Sequence, residues 1–522
     1  MRPKPAWNRR ELLRALAGLP LAGPAAAASA AMLATPSFPQ DPFSLGVASG
    51  YPRPDGMVLW TRLAPEPLAP AGGMPPESVP VRWEVARDQS FRQLAAAGTA
   101  YATLDWAHAV HVEPYGLAPD REYWYRFHAG DATSPPGRTR TAPAADALAD
   151  RLRIGVGSCQ HYAYGWYTAY RHAAADQLDL FLHLGDYIYE ASRGTGVVRS
   201  QGVQEPVPLE DYRRHYALYK SDPDLRAAHA SCPWLLVWDD HEVDNDYAGS
   251  RSQDDDTPAW FLARRAAAYR AYYEHMPLPR GMVPFGPHMR IHTRLGLGRL
   301  ATLHMLDNRQ YRSPQPCPKP GRAGSNFISG DCSERLNPDA TLLGARQERW
   351  LAAGLRGSGA RWSLLGQQTL MAHADGREGD GELFFSDGWD GYPAARKRLL
   401  DLFAEGACAN PVVLGGDVHS FWVADLKPNF ADTRAPAVAS EFVGTSISSP
   451  PPPEHRIQAV VRENPHIHYA TGEHRGYLRL TLTPARLTAD LRAVASVRER
   501  DATCDTLASF VVEDGRPGPV AA

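Results

Sequence analysis

Apolar residues in this chain follow two patterns, and the change between them falls near residue 150. From Asp41 to about Pro143 they alternate with other residues. Val58-Leu59-Trp60-Thr61-Arg62-Leu63 and Val81-Arg82-Trp83-Glu84-Val85 show the period of half-buried strands. Leu117-Ala118-Pro119 followed by Tyr123-Trp124-Tyr125-Arg126-Phe127 has the look of a tyrosine corner, so an immunoglobulin/fibronectin-like all-β domain is expected over 41–143. Beyond the linker 144–150 the apolar residues form unbroken runs separated by helical segments. The runs are Arg153-Ile154-Gly155-Val156, Leu180-Phe181-Leu182-His183-Leu184, Trp234-Leu235-Leu236-Val237-Trp238 and Val412-Val413-Leu414-Gly415. Strands covered on both faces read this way. Helices are expected over 165–177, 209–220, 259–275, 344–356 and 392–405, and late strands over 421–426, 438–443, 477–482 and 487–494. The fold class is therefore α/β, a sheet or pair of sheets layered with helices, occupying 151–495. Residues 496–522 are expected to be a C-terminal tail.

Each apolar run ends in groups that bind metals. Gly157-Ser158-Cys159-Gln160, Gly185-Asp186-Tyr187-Ile188-Tyr189-Glu190, Asp239-Asp240-His241-Glu242 and Gly416-Asp417-Val418-His419 follow the four runs. The carboxyl ends of strands in an α/β sheet converge on one crevice. Thiol, phenol, imidazole and several carboxylates gathered there would be costly without cations. Net charge sets a further bound. At −3 over 522 residues the chain lacks the basic surplus of a nucleic-acid binder, so no stable nucleic-acid complex is expected. No eighteen-residue apolar stretch predicts a membrane span.

The N-terminus changes the compartment rather than the fold. Asn8-Arg9-Arg10-Glu11-Leu12-Leu13, a mild Ala-rich stretch and Ala28-Ser29-Ala30 predict a twin-arginine signal peptide over 1–34. The protein is then expected to meet the twin-arginine export machinery and to be periplasmic or secreted. Six cysteines suit that oxidising destination. Cys317 and Cys332 bracket a Pro/Gly/Ser-rich loop and are expected to pair. Cys408 and Cys504 are a possible second pair, Cys232 reads as a core thiol, and Cys159 is reserved for the site.

Together these motifs resemble the calcineurin-like metallophosphoesterases: a Gly-Asp motif at Gly185-Asp186, Asp240-His241-Glu242 in place of Asn-His-Glu, and a late Gly-Asp-Val-His at 416–419. With Leu306-Asp307-Asn308-Arg309-Gln310-Tyr311-Arg312 included, the pattern is most similar to PhoD-type alkaline phosphatase/phosphodiesterases. The resemblance implies a layered α/β/β/α metallophosphoesterase sandwich behind the β domain, and an exported metal-dependent enzyme that hydrolyses phosphomonoesters and phosphodiesters by attack of a metal-activated water. Departures from the wider superfamily read as ligand chemistry. Asp240 replaces the usual Asn, Asp417 the usual His, and Gln368 falls where a middle His is usual. Asp186, Asp240, Asp417 and Gln368 form an oxygen-only set suited to one or two Ca²⁺ ions. Cys159, Tyr189, Asp186 and His419 suit Fe³⁺, as the resemblance also implies, with Asp186 shared. His241 is expected to hydrogen-bond the phosphoryl group or protonate the leaving oxygen. Arg309 is expected either to clamp phosphate or to form an ordinary salt bridge. Glu190 and Glu242 would orient ligands. A monomer is expected. The rival readings are a phospholipase D-like phosphodiesterase with little monoesterase activity, and a secreted binding or adhesion protein.

Overall fold

The computed structural model describes residues 36–192 and 195–522. The signal-peptide expectation for 1–34 lies outside the described residues. Two large sheets dominate, one of ten strands and one of seven. Their inner faces share a single apolar core, which includes Ile154, Val156, Leu182 and Leu235 from one sheet and Leu303, Leu364, Val412 and Leu414 from the other. Leu365 and Val413, one residue along, face a second core with Leu351 and Leu355 of the helix Ala345–Arg356 and Leu399 and Leu400 of the helix Pro393–Ala404. This period-two division explains the unbroken apolar runs, since each strand is covered on both faces. Against the ten-stranded sheet pack the helices Thr168–Ala175, Leu209–Lys220, Pro223–Ser231 and Pro258–His275, whose Tyr170, Tyr216, Leu225 and Tyr269 join its core.

Parallel pairing fixes where the site must lie. In the ten-stranded sheet Leu180–His183 pairs in parallel with Leu152–Gly157 on one side and Pro233–Leu236 on the other. In the seven-stranded sheet Ala301–Met305, Trp362–Gly366, Pro411–Gly415 and Ala439–Val443 are parallel neighbours. Six of these strands run directly into Ser158-Cys159, Gly185-Asp186, Asp239-Asp240, Asp307-Asn308, Gln367-Gln368 and Gly416-Asp417.

Three expectations are corrected. First, the β-rich region 41–143 does not own both of its sheets. Val47–Arg53, Gly56–Arg62 and Ala109–Val112 extend the ten-stranded sheet, because Ser49 and Gly50 pair in parallel with Pro233 and Trp234. Only Val79–Ala86, Leu94–Ala102, Glu122–Ala129, Ala132–Thr133 and Gly137–Arg140 form a separate sheet, with Val81, Tyr125 and Phe127 closing a core against Val47, Leu59 and Val110. The tyrosine corner is present, with Ala118 N–H donating to the Tyr123 hydroxyl at 2.9 Å. Second, 496–522 is no trailing tail. Cys504–Glu513 and Arg516–Ala521 are strands at the edge of the ten-stranded sheet. Third, Cys317 and Cys332 are disulfide-bonded, but Cys408 and Cys504 are free thiols, as are Cys159 and Cys232. Cys504 sits instead in the ladder opposite Val494.

Candidate metal centre

The strand ends meet through tight backbone turns. Cys159 N–H donates to the Gly185 carbonyl at 3.1 Å and Gln160 N–H to the Asp186 carbonyl at 3.0 Å, which splices the first two loops together. Gly185 has φ +112°, and a Cβ there would lie 2.5 Å from Cβ of Asp239. Only glycine allows that approach. Four of the expected ligands are themselves left-handed: Cys159 (φ 59°), Asp186 (58°), Asp417 (64°) and His419 (53°). Each such non-glycine residue costs about 1–3 kcal/mol and persists only where the surroundings over-determine it. Glu242 is one such determinant. Its buried carboxylate accepts N–H bonds from Asp186 (3.1 Å), Tyr187 (2.6 Å) and Asp239 (2.9 Å), so one side chain pins two loops.

Two clusters of unlike chemistry result, and they share a residue. Ligand atoms of Cys159, Asp186 and His419 lie within 4.8 Å of one another, as do those of Asp186, Asp240 and His241. The Tyr189 hydroxyl completes the first, donating to Asp186 Oδ2 at 2.7 Å and lying 3.2 Å from His419 Nε2. His419 Nδ1 donates to the Pro450 carbonyl at 2.7 Å, which leaves the Nε2 lone pair facing this cluster. Around the second, Gln368 Nε2 donates to the Trp238 and Leu306 carbonyls, fixing the amide with its oxygen turned away from them.

The buried polar atoms of the two clusters are poorly compensated by the protein itself. Among the described residues, Asp186 Oδ1, Asp239 Oδ2, Asp417 Oδ2, Gln368 Oε1 and Asn308 Oδ1 are buried acceptors without a hydrogen-bond partner. Native interiors rarely leave such groups unsatisfied. Burial, with Asp240 and Asp239 nearby, pushes Asp186 well above the usual carboxylate range despite the opposing pull of His241. Burial also pushes Asp417 up to about 8, with Asp387 adding and Arg309 opposing. Burial and Asp186 likewise raise the Cys159 thiol. Clustered oxygens, a thiol and a phenol that resist ionisation without positive charge fit a cation site.

His241 stands at the opening. Its Nδ1 is 2.7 Å from Glu190 Oε2, and its ring lies 4.2 Å from that of Tyr189. Burial alone would lower this imidazole, but Glu190, Asp240 and Asp186 hold it well above its ordinary range. The opening is a cleft of about 220 Å³ whose lining includes Tyr164, Tyr189, His241, Asn245, Gln253 and His419.

Arg309 does not have the role of a phosphate clamp. It is 1 % exposed, bonds Asp239 through Nε, and places Nη2 2.7 Å from Asp387 Oδ2 and 3.7 Å from Asp240 Oδ1. A guanidinium enclosed by three carboxylates balances their charge from beneath, so the salt-bridge alternative is the one realised. Sequence reasoning missed Asp387, which also binds Arg312 and Gln315, and it gave no role to Asp239 or Asn308. A signal for Asp387 was present, since it lies two residues past the short strand Leu383–Phe385.

This layered fold, with a thiol–phenol–carboxylate–imidazole cluster at its strand ends, places the chain among phosphoric ester hydrolases once its relatives are considered. The sequence matches the PhoD-like phosphatase family over residues 154–491 and the N-terminal domain of PhoD-like phosphatases over 26–143. It is 44% identical over 493 residues to alkaline phosphatase D of Bacillus subtilis, covering 93% of this chain and 83% of that protein. A solved structure of PhoD superposes with TM-score 0.89 at 43% identity, covering 93% of each chain. The chain belongs to the PhoD-like phosphatase family.

Proposed function

We propose that this phosphatase hydrolyses phosphomonoesters and phosphodiesters at a mixed metal centre. Fe³⁺ would be held by Cys159, Asp186, Tyr189 and His419, and Ca²⁺ by Asp186, Asp240, Asp417 and Gln368. The observation that carries this reading is that Asp186 is shared by two groups, Cys159, Asp186 and His419 on one side and Asp186, Asp240 and His241 on the other, while Asp417 Oδ2 and Gln368 Oε1, buried without a hydrogen-bond partner among the described residues, offer further oxygens. Thiolate and phenolate donors suit a strongly Lewis-acidic ion, and an all-oxygen set suits a hard one. When bound, the cations would supply charge neutralisation for the phosphoryl oxygens and lower the pKa of water. The chain's own residues do the rest. Glu190 holds Nδ1 of His241, so the Nε2 proton is the one free to bond the phosphoryl group or to pass to the leaving oxygen. Glu242 holds the ligand loops in register.

Metal analysis of purified protein, paired with turnover of p-nitrophenyl phosphate and bis-p-nitrophenyl phosphate, tests the assignment. Exhaustive calcium chelation should abolish both activities, and retention of turnover refutes the oxygen-only calcium site. Tyr189→Phe should erase a visible tyrosinate-to-iron band, and an unchanged spectrum removes Tyr189 from the iron set. Export by the twin-arginine route to the periplasm or medium is part of the same proposal. It is supported by Asn8-Arg9-Arg10 and by the disulfide. Replacing Arg9 and Arg10 by Lys should leave unprocessed protein in the cytoplasm.

A further inference from the structure

One more strand of the seven-stranded sheet ends at the centre, and its loop carries none of the expected ligands. Ala439–Val443 runs parallel to Pro411–Gly415 and leads into Gly444-Thr445-Ser446-Ile447-Ser448-Ser449, followed by Pro450-Pro451-Pro452-Pro453. This loop holds three of the residues assigned to iron. Ser448 and Ser449 donate their N–H groups to the Cys159 carbonyl at 3.4 and 3.2 Å. The Pro450 carbonyl accepts His419 Nδ1 at 2.7 Å. Ser449 Oγ lies 2.9 Å from the Tyr189 hydroxyl. Each proline locks its own φ, and the first also restricts the residue before it, so Ser449 sits on stiff backbone. Arg475 Nη1 and Ser446 Oγ fix the same residue by donating to its carbonyl at 2.8 and 2.6 Å.

Ser449 is fully buried, and its hydroxyl has one proton to place. Two acceptors are in reach, the Cys159 carbonyl at 2.8 Å and the Tyr189 oxygen at 2.9 Å. The carbonyl already has two N–H donors, whereas the phenol oxygen has no other donor among the described residues. Asp186 Oδ2 accepts from that oxygen, and the nearby His419 Nε2 carries a lone pair, because the proton of its ring is on Nδ1. The His161 ring stacks on Tyr189 with centroids 4.4 Å apart, but its Nδ1 accepts the Ala163 N–H and its Nε2 faces the Ala191 carbonyl. The backbone N–H of His161 donates instead to Ser449 Oγ at 3.3 Å, which occupies a lone pair and leaves the hydroxyl proton for the phenol oxygen.

We infer that Ser449 is a positioning residue that donates its hydroxyl proton to the Tyr189 oxygen when that oxygen binds iron. The inference deepens, and rests on, the iron assignment above. A hydrogen bond draws electron density from a phenolate, so it weakens Tyr189 as a donor and keeps the ion strongly Lewis-acidic. Ser449 therefore acts through Tyr189 and not on the phosphate ester.

The test uses the visible spectrum of the iron-loaded holoenzyme. The unmodified protein should show a tyrosinate-to-iron band that is absent from Tyr189→Phe. In Ser449→Ala the band should move to longer wavelength, because the phenolate loses its donor and its electrons rise in energy. Turnover of p-nitrophenyl phosphate per bound iron should fall about tenfold, in kcat and not in KM. Ser449→Cys, whose thiol is a weak donor, should give a smaller shift in the same direction, and Ser449→Thr, which keeps a hydroxyl, should return the band toward its original position. Ser448→Ala is the control. It removes a bond of the same loop, to the His161 carbonyl at 2.9 Å, and should leave the wavelength unchanged. A band in Ser449→Ala that loses intensity in step with iron content but keeps its wavelength overturns the inference and leaves Ser449 a loop anchor only. An equal shift in Ser448→Ala overturns it as well. Absence of the band from the unmodified iron-loaded protein, or its persistence in Tyr189→Phe, would refute the iron assignment itself, and the inference falls with it.

Discussion

Replacing Arg309 by Met distinguishes a residue that grips substrate from one that balances charge beneath the centre. Arg309 faces Asp239, Asp387 and Asp240, and it is 1 % exposed. Methionine keeps most of the volume and removes the charge. Asp387 would keep Arg312 at 2.6 Å and Gln315 at 2.8 Å. Asp239 would lose its guanidinium, and its Oδ2 already lacks a hydrogen bond among the described residues. Breaking a buried pair by removing one partner costs about 3–5 kcal/mol. At about 2.1 cal/mol/K per residue, a chain of this length unfolds with an entropy near 1 kcal/mol/K, so Tm should fall by roughly 3–5 °C. Metal content should fall as well, because Asp239 and Asp240 are adjacent.

Thermal unfolding, metal analysis and inhibition by inorganic phosphate should be measured on the same preparations. Charge balance predicts a lower Tm, reduced metal and, per metal-loaded site, unchanged phosphate inhibition. Adding Asp239→Asn to Arg309→Met should recover part of the lost stability, with a coupling of about 0.5–3 kcal/mol. Arg309→Lys should recover less than its charge suggests, since one ammonium cannot span Asp239 and Asp387 as the planar fork does. An unchanged Tm together with selectively weakened phosphate inhibition would refute this reasoning and restore the clamp.

Three further outcomes follow from the same geometry. Removing the Cys317–Cys332 bond, which closes a loop of sequence separation 15, should lower stability by about 3 kcal/mol in reversible denaturation. Glu242→Gln should cost about 1–3 kcal/mol and reduce metal content, because an amide turns one donor toward backbone N–H groups that now find two acceptor oxygens; full metal occupancy in this variant would argue against Glu242 as the loop pin. Burial pushes Glu441 up to about 7, although the Met371 and Ala372 N–H groups oppose the shift. A carboxyl raised on folding binds its proton more tightly in the native state, so its contribution is complete below the unfolded value near 4.5 and is lost as pH rises through about 7. The stability of the unmodified protein relative to Glu441→Gln should therefore decline between pH 5 and 8, measured by denaturant unfolding, and a flat difference would show that Glu441 ionises freely.

What the sequence made legible was the part written in local periodicity. Unbroken apolar runs such as Leu180–Leu184 mark strands buried on both faces, and the polar group after each run marks the site edge. Cys159, Asp186, Asp240, Asp417 and His419 were singled out by that rule and Gln368 by the resemblance, and the strands before them are parallel neighbours in two sheets. Partnership was not legible. Nothing in Val47–Arg53 announces that it pairs with Pro233–Leu236, nearly 190 residues later, in preference to closing its own sandwich. The segment Phe510-Val511-Val512 is apolar, yet whether such a segment trails or joins an edge depends on the strand it meets. Arg309 shows the same limit. Its place after a strand was clear, but whether its fork points to solvent or to Asp387 depends on how the two-stranded ribbon of Phe327–Ser329 with Leu383–Phe385 pairs, and that pairing is not written in local periodicity.

The backbone of the site explains why its residues resist being read as ordinary structure. Cys159, Asp186, Asp417 and His419 are all left-handed, in positions where glycine would be less strained. Local propensity and burial both disfavour these side chains there. Conflicts between local preference and the fold concentrate at functional sites, where the side chain is needed for something other than stability. Here the strain falls on four residues of three loops, three of which, Cys159, Asp186 and His419, bring their ligand atoms together, and the side-chain oxygens Asp186 Oδ1 and Asp417 Oδ2 are left without a hydrogen-bond partner among the described residues. The predicted consequence is that Asp417→Gly or Asp186→Gly should relieve backbone strain, and with it the repulsion between buried carboxylates. In metal-free protein either variant should be more stable than the parent in thermal unfolding, while activity is lost. If both variants were instead destabilised without metal, the left-handed turns would be serving the fold, and the centre would not be a place where stability is given up for chemistry.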